Sequence, residues 1–561
     1  MHPLPSTKND WSTMEFNSLE KKIAHARSLT DQLPDLGVDF SNLLKRGIGS
    51  DKTYLIFRDE QQRRTNISYR EFYELVLKTA RFFQSKGLQK GDKIATISHN
   101  HWHTVVQYFA AWFCGLVVVP VNLGEDDNRI SYILENAEVK LVFVRIDYAE
   151  RVNSIIKEKD ELFDIEVVVC DDYVDSFSTK EGELEEVEID IESEALIVFT
   201  SGTTGKPKGV VLTQRNLLED ARTISKCHNI DGQTNMMCVL PIHHVNGTVV
   251  TMITPFYTGG TTVLNQKFSA RHFFEAIEEE QVHIVSVVPT LLQYLTNYYE
   301  GKEVTKPVQF RHIICGAGPL TVKVAQNFED KFNIPIIHGY GLSETTCYSC
   351  FIPVNQSKEE HNKWMRDFGY PSIGIPVPAN EMDIQDEQGN SVPKGERGEI
   401  VIRGVNVMKG YFNNREANES AFKNGWFRSG DEGFVQKDKA GKSYFFITGR
   451  LKELIIRGGI NLAPLEIDEV INRAPGVKAG IAVGFENDWY GEEVGAYVQL
   501  KEGVKKNEQA ILDYCQQHLP FSKAPKVVVV GKELPVTSTG KYQRLKVAHL
   551  FDQWREIQFK K

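Results

Sequence analysis

The chain has 561 residues, more than one hydrophobic core keeps absorbing, so at least two domains are expected. Lys+Arg 65 against Asp+Glu 75 gives a formal charge of −10, which argues against nucleic acid as the main partner. The start, MHPLPSTKNDWSTMEF, lacks the basic then apolar pattern of a secretory signal, and eight scattered cysteines suggest reduced thiols in a cytoplasm.

The first fifty or so residues carry no recognisable motif. Beyond them, 93-KIATIS-98, 116-LVVVPV-121, 140-KLVFVR-145 and 165-IEVVVC-170 read as buried strands. Between them, 127-DNRISYILENAE-138 and 148-YAERVNSIIKEKD-160 have helical periodicity. The most apolar stretch, 105-VVQYFAAWFCGLVVVPV-121, is interrupted by Gln107, Gly115 and Pro120; it is too short for a membrane span and reads as a buried helix running into a strand. A second set follows, with strands at 235-NMMCVLP-241, 261-TTVLN-265, 283-HIVSVVP-289, 311-RHIICGA-317 and 334-IPIIHGYG-341, and a helix such as 269-SARHFFEAIEEE-280. This alternation implies parallel sheets in two βαβ-type lobes, with a ligand crevice at the strand ends.

Cys347 and Cys350 have C-x-x-C spacing, but without a second pair nearby or a thioredoxin-like strand they read as pocket or core residues. From about residue 376 the texture becomes turn-punctuated and alternating, as in 381-EMDIQDEQGNSVPKGERGEIVIRG-404, which suggests a small β subdomain. After 449-GRLKELIIRGG-459 comes a compact α+β segment, with helices at 465-LEIDEVINRA-474 and 508-EQAILDYCQQHL-519 and a strand at 494-VGAYVQL-500. The expected organisation is therefore α/β: a large N-terminal domain over residues 1–451 and a small, mobile C-terminal domain over 452–561, with a hinge in the link.

One stretch stands apart, 199-FTSGTTGKPKGVVLT-213. It is not a Walker A loop, because Thr200 stands where the first glycine belongs and Pro207 where the hydroxyl should follow Gly205-Lys206. Its glycines, hydroxyls and lysines nevertheless suit phosphate. A simple turn loop is the alternative.

With TSGTTGKPKG, the motifs 240-LPIHHVNG-247, 316-GAGPL-320, 339-GYGLSETT-346, 425-GWFRSGD-431, 449-GRLKELI-455 and 535-PVTSTGK-541 occur in the order found in the adenylate-forming superfamily, which the chain resembles. That superfamily contains acyl-CoA synthetases, firefly luciferase and peptide-synthetase adenylation domains. The resemblance implies that a carboxylate attacks the α-phosphate of ATP to give an acyl-adenylate and pyrophosphate, after which a nucleophile displaces AMP. Such chemistry rests on positioning and charge neutralisation.

By that resemblance, Thr200, Ser201, Gly202, Thr203, Thr204, Gly205, Lys206 and Lys208 hold the β- and γ-phosphates. Gly316, Ala317, Gly318 and Pro319 line the adenine pocket; Tyr340, between Gly339 and Gly341, stacks on the base. Glu344 is the magnesium ligand, with Ser343 where the family usually has threonine. Asp431 accepts from the ribose hydroxyls, Arg450 is a second ribose or phosphate contact, and Lys452 is the hinge. Lys541 bridges the carboxylate and the α-phosphate. His244, beside His243, aligns best with the group that gates the acyl pocket; a metal role for the His pair is disfavoured, as no Cys or carboxylate cluster lies close in sequence.

Gly458-Gly459 resembles the loop that admits the pantetheine arm of coenzyme A, so a free-standing acyl-CoA synthetase using ATP, Mg2+ and coenzyme A is implied. The alternative is a ligase that passes the acyl group to a separate carrier protein or amine. With twenty residues after Lys541, no fused carrier domain is expected. A non-enzymatic binding protein is disfavoured, because Lys541, Glu344, Asp431 and the lysine-bearing loop are all present. The expected acyl pocket, from His243 to Thr248, around Cys315 and Gly316 and from His338 to Cys350, holds no arginine, which favours an apolar monocarboxylic acid. A homodimer is left open.

Overall fold

The computed structural model describes residues 18–162, 164–171, 184–185, 187–200, 206–505, 507–536 and 542–560. Two large sheets form its body. In the first, of seven strands, the parallel run Glu194–Thr200, Val117–Val121, Lys93–Ile97, Val139–Val144, Glu166–Val169 is extended antiparallel by Lys208–Thr213 and Gly410–Tyr411. In the second, of nine strands, a parallel run from Ile336–Tyr340 through His312–Cys315, Ile284–Val287, Asn235–Cys238 and Thr261–Asn265 reaches Thr53–Arg58, with antiparallel strands at both edges. Parallel strands buried on both faces read as continuous apolar runs, which is why the sequence announces most of them; Glu166–Val169, expected to be buried, is instead a partly exposed edge strand, since only one neighbour covers it.

The chain exchanges strands between lobes. Thr53–Arg58, near the N-terminus, pairs with Thr261–Asn265 in the second sheet. The sheets are joined through buried helices. Helix Trp102–Phe113 is largely apolar and buried from His103 onward; Trp112 stacks on Phe40, with Phe109, Phe72, Tyr54 and Phe256 completing an aromatic cluster. The first fifty residues thus contribute Phe40 to the main core.

Asn380–Gln385, Gly398–Gly404, Phe427–Lys437 and Ser443–Arg450 form a four-stranded antiparallel sheet, the small β unit that the turn-rich sequence suggests. Residues 353–374, whose role the sequence does not disclose, form a brace. Helix Lys358–Arg366 opens on a capping box from Ser357 and Glu360; it stacks Trp364 on Tyr444 of the antiparallel sheet, while His361 and Arg366 reach Glu329.

The C-terminal unit is a five-stranded sheet built on the Val477–Asn487/Gly491–Leu500 hairpin, with helices Pro464–Ile471 and Glu508–His518 sharing its core. Among the described residues no helix is long and apolar enough to cross a membrane.

Candidate active site

Three strand ends meet at one pocket. Tyr340 ends strand Ile336–Tyr340, Asp431 lies in Phe427–Lys437, and Arg450 ends Ser443–Arg450, directly opposite Asp431 in the antiparallel register. The Tyr340 hydroxyl donates to Asp431 Oδ2 at 2.6 Å, and Arg450 Nε lies 3.2 Å from Oδ1. Asp431 is only 2 % exposed, and Oδ1 has no hydrogen bond of good geometry. A buried carboxylate oxygen in that state suits a ligand hydroxyl. The Asp431 carboxylate holds Arg450 well above the usual guanidinium range, and burial followed by Asp431 pushes the Tyr340 phenol up. Both therefore stay protonated as donors.

Ala317, Gly318 and Pro319 line the same pocket with Gly339, Tyr340 and Gly341. Ala317 has φ +61°, a left-handed conformation costing a non-glycine residue about 1 kcal/mol or more. Gly341 is dictated by close approach: a Cβ there would stand 1.9 Å from the Cys347 carbonyl oxygen.

Ser343 and Glu344 sit in a single 3-10 turn, Ser343–Thr345. Glu344 Oε1 accepts from the Tyr411 hydroxyl at 2.9 Å, and Lys208 Nζ lies 4.9 Å from the centre of the same ring. Strand pairing explains this meeting, since Tyr411 sits opposite Val210. Tyr411 was not legible in the sequence, because 410-GYF-412 has no chemical signature. The strands that flank the glycine-rich loop, Glu194–Thr200 and Lys208–Thr213, pair antiparallel, with Thr200 opposite Lys208. Thr200, Lys206 and Lys208 are described; Ser201, Gly202, Thr203, Thr204 and Gly205 lie outside the described residues. Lys206 Nζ lies 5.2 Å from the Tyr132 ring centre.

His243 and His244 precede the buried π-helix Asn246–Ile253, with ring centroids 4.4 Å apart. His243 faces a second cleft, which Tyr542 also lines, and burial lowers its pKa to about 4. Cys347 and Cys350 are buried free thiols whose burial pushes their pKa values up. They are core residues, as expected.

The C-terminal unit closes the pocket. Tyr542 and Arg544 line it opposite Tyr340 and Asp431; Lys541 itself lies outside the described residues. Arg544 is fixed by Asp468 through bonds of 2.9 and 2.5 Å. The unit is seated by Glu469, whose carboxylate accepts the backbone N–H groups of Val322 and Lys323, at 3.1 and 3.2 Å, where helix Val322–Phe332 begins. Lys452 is exposed in the link Leu451–Glu453. Gly458 and Gly459 form the exposed two-residue turn between Ile455–Arg457 and Ile460–Leu462; φ values of +58° and +80° explain why glycines are needed there. They do not line the pocket beside Tyr340.

Fold and pocket together define a two-part α/β enzyme with a pocket at the junction of its two parts. Residues 48–412 match the family model of the AMP-binding enzyme, and 466–541 match that of the AMP-binding enzyme C-terminal domain. The chain belongs to the AMP-binding enzyme family, the adenylate-forming group whose acyl-CoA synthetase branch its motifs resemble. It is 34% identical over 472 residues to a sulfoacetate–CoA ligase of Cupriavidus necator, covering 83% of this chain and 89% of that protein. Its fold is similar to ATP-bound MatB from Rhodopseudomonas palustris, with TM-score 0.81, 25% identity, and 92% and 100% of the two chains covered. It is also similar to Bacillus subtilis o-succinylbenzoate coenzyme A synthetase in complex with ATP and magnesium, with TM-score 0.77, 26% identity, and 90% and 98% covered.

Proposed function

We propose that this chain is an AMP-forming acid–CoA ligase that converts a carboxylic acid and ATP to an acyl-adenylate and pyrophosphate, then transfers the acyl group to coenzyme A with release of AMP. The observation that carries the reading is the Tyr340–Asp431–Arg450 cluster, closed over by Tyr542 and Arg544.

Asp431 Oδ1, buried and short of a donor, takes a ribose hydroxyl, while Tyr340 and Arg450 hold that carboxylate in place. Lys206 and Lys208, just after the glycine-rich stretch, neutralise the outer phosphates. Glu344, a single carboxylate beside Lys208 and Tyr411, suits magnesium that arrives on phosphate, since Mg2+ binds through few carboxylates plus substrate oxygens. When bound, that ion adds charge neutralisation at the phosphates. Lys541 stabilises charge in the first step, and the Gly458-Gly459 turn serves the second; both lie in the small unit, so it rotates at a boundary placed between residues 451 and 452. His244 gates the acyl side.

The acid is the finer part of the proposal. The lining residues read from the sequence suggest an apolar monocarboxylic acid, whereas the packing around Tyr348 argues for a shorter and more polar one. A cytoplasmic location, resting on the scattered cysteines, belongs to the same proposal.

The test is pyrophosphate release from ATP across a panel of acids, with and without coenzyme A. Lys541→Ala is expected to slow adenylate formation by a factor on the order of 100, the scale of one preorganised electrostatic contact. Thioester formation from supplied acyl-adenylate should persist. Equal loss in both half-reactions contradicts the role, and formation of an acylated carrier protein or amide in place of the CoA thioester contradicts the acceptor.

A further inference from the structure

Tyr348 lies four residues beyond Glu344 and is 1 % exposed. It is held at every polar point. Its N–H donates to the buried Asp220 carboxylate at 3.3 Å, and its carbonyl accepts from Asn406 Nδ2 at 3.0 Å. Thr346, two residues earlier, has φ +66°, rare for a β-branched residue, and its hydroxyl donates to the Asn406 carbonyl at 2.6 Å. The phenol ring packs on Phe351 with centroids 4.4 Å apart. Its hydroxyl accepts from Asn246 Nδ2 at 3.1 Å, while Asn246 Oδ1 accepts from the Ser286 hydroxyl at 2.7 Å.

This clamped phenol stands against the glycine wall that continues inward from the nucleotide pocket. A Cβ on Gly316 would lie 2.5 Å from the Tyr348 hydroxyl oxygen and 2.9 Å from the Gly339 carbonyl oxygen. Space beside Gly316 is therefore already filled by Tyr348. A long hydrocarbon tail entering past Gly341 and Gly316 would have to expel the ring, break the Asn246 bond and leave buried polar groups unpaired. A short acid need not displace the ring, and the polar groups packed on that side are the Tyr348 phenol, the Asn246 amide and the Ser286 hydroxyl.

We propose that Tyr348, buttressed by Asn246 and Ser286, closes the acyl end of the site and restricts this enzyme to short, hydrophilic carboxylic acids whose far end carries a hydrogen-bonding group. This deepens the ligase reading and rests on it.

The experiment compares glycolate, oxalate, malonate and acetate with octanoate and cinnamate as substrates of the purified full chain, scored by pyrophosphate release and CoA-thioester formation. Binding of short and long acyl-sulfamoyl adenosines is measured in parallel by calorimetry. The best short hydrophilic acid is expected to exceed octanoate and cinnamate in kcat/KM by about 100-fold or more, and Tyr348→Ala to narrow that gap by about 10-fold or more by gaining activity on the long acids. Tyr348→Phe, which keeps the ring, should keep the length limit and lose preference for hydroxylated over plain short acids. Thermal melts verify that both variants fold; if Tyr348→Ala does not, Tyr348→Leu replaces it. Octanoate or cinnamate turned over by wild type as well as the short acids overturns the length limit while leaving the ligase reading intact. Failure of every acid, together with no binding of either adenosine analogue, overturns both.

Discussion

Asp431 is a carboxylate buried beside a phenol and a guanidinium, and each neighbour contributes differently. The Tyr340 hydroxyl bond at 2.6 Å is charge-assisted, a class contributing roughly 1.5–3 kcal/mol. Tyr340→Phe should therefore raise the KM for ATP by about 10-fold, without shifting the magnesium requirement. Glu344→Gln should do the converse, because Glu344 sits with Tyr411 and Lys208, the lysine proposed to meet the outer phosphates. Magnesium titrations of both variants at fixed ATP decide the point; a shifted titration for Tyr340→Phe, or an unshifted one for Glu344→Gln, sinks the division of labour. The sequence already marked Tyr340, Glu344, Asp431 and Arg450 through their motifs. Tyr411 and Arg544 escaped, and Tyr348 was marked only within the 338–350 pocket lining, because strand register or a remote partner, not local spacing, gives each its place.

Among the elements, helix Val322–Phe332 carries an unusual duty. Its first turn is capped within its own segment by the Thr321 side chain, and Glu469 of the C-terminal unit takes two further N–H groups. This contact belongs to the orientation in which Tyr542 and Arg544 line the nucleotide pocket. Removing it withdraws favour from that orientation alone, since a ligand or contact shifts a conformational equilibrium only by its differential stabilisation. Glu469→Ala is expected to slow adenylate formation by about 5-fold, the worth of roughly 1 kcal/mol at a helix N-terminus, while thioester formation from supplied adenylate is unchanged or faster. Single-turnover measurement of each half-reaction provides the check, and equal slowing of both would show that Glu469 merely holds the fold together.

Across the whole molecule, histidine burial dominates the acid response. His25, His99, His101, His103, His228, His243, His283, His312 and His338 all have pKa values lowered, with desolvation the leading cause each time. For His101 the value falls to about 2, for His103 and His312 to about 3, and for His243 and His338 to about 4. Below pH 6.5 the unfolded chain binds protons that the folded chain refuses, so stability falls as pH drops through that window. Asp220, Asp468 and Glu219, raised by burial, pull the other way, but they are fewer. The net loss should exceed about 1.4 kcal/mol per pH unit between pH 6.5 and 4.5, with little change from pH 7 to 8. Urea unfolding across that range tests this; a flat profile below pH 6.5 would mean that the buried rings find solvent or partners on protonation.

The sequence by itself determined the α/β alternation, the buried helix before Val117–Val121, the motif order and the change of texture near residue 376. These are local properties: strands buried on both faces must be apolar throughout, and turns with special φ must carry glycine. Tertiary structure decided which sheet each strand joins, since Thr53–Arg58 could pair with either lobe on pattern alone. It also decided that the strands flanking the glycine-rich loop pair antiparallel and that residues 353–374 form a brace anchored on Tyr444 and Glu329. It decided too how Tyr348 is held: Asp220, Asn246 and Asn406 converge on it from distant parts of the chain, and no local periodicity records that convergence.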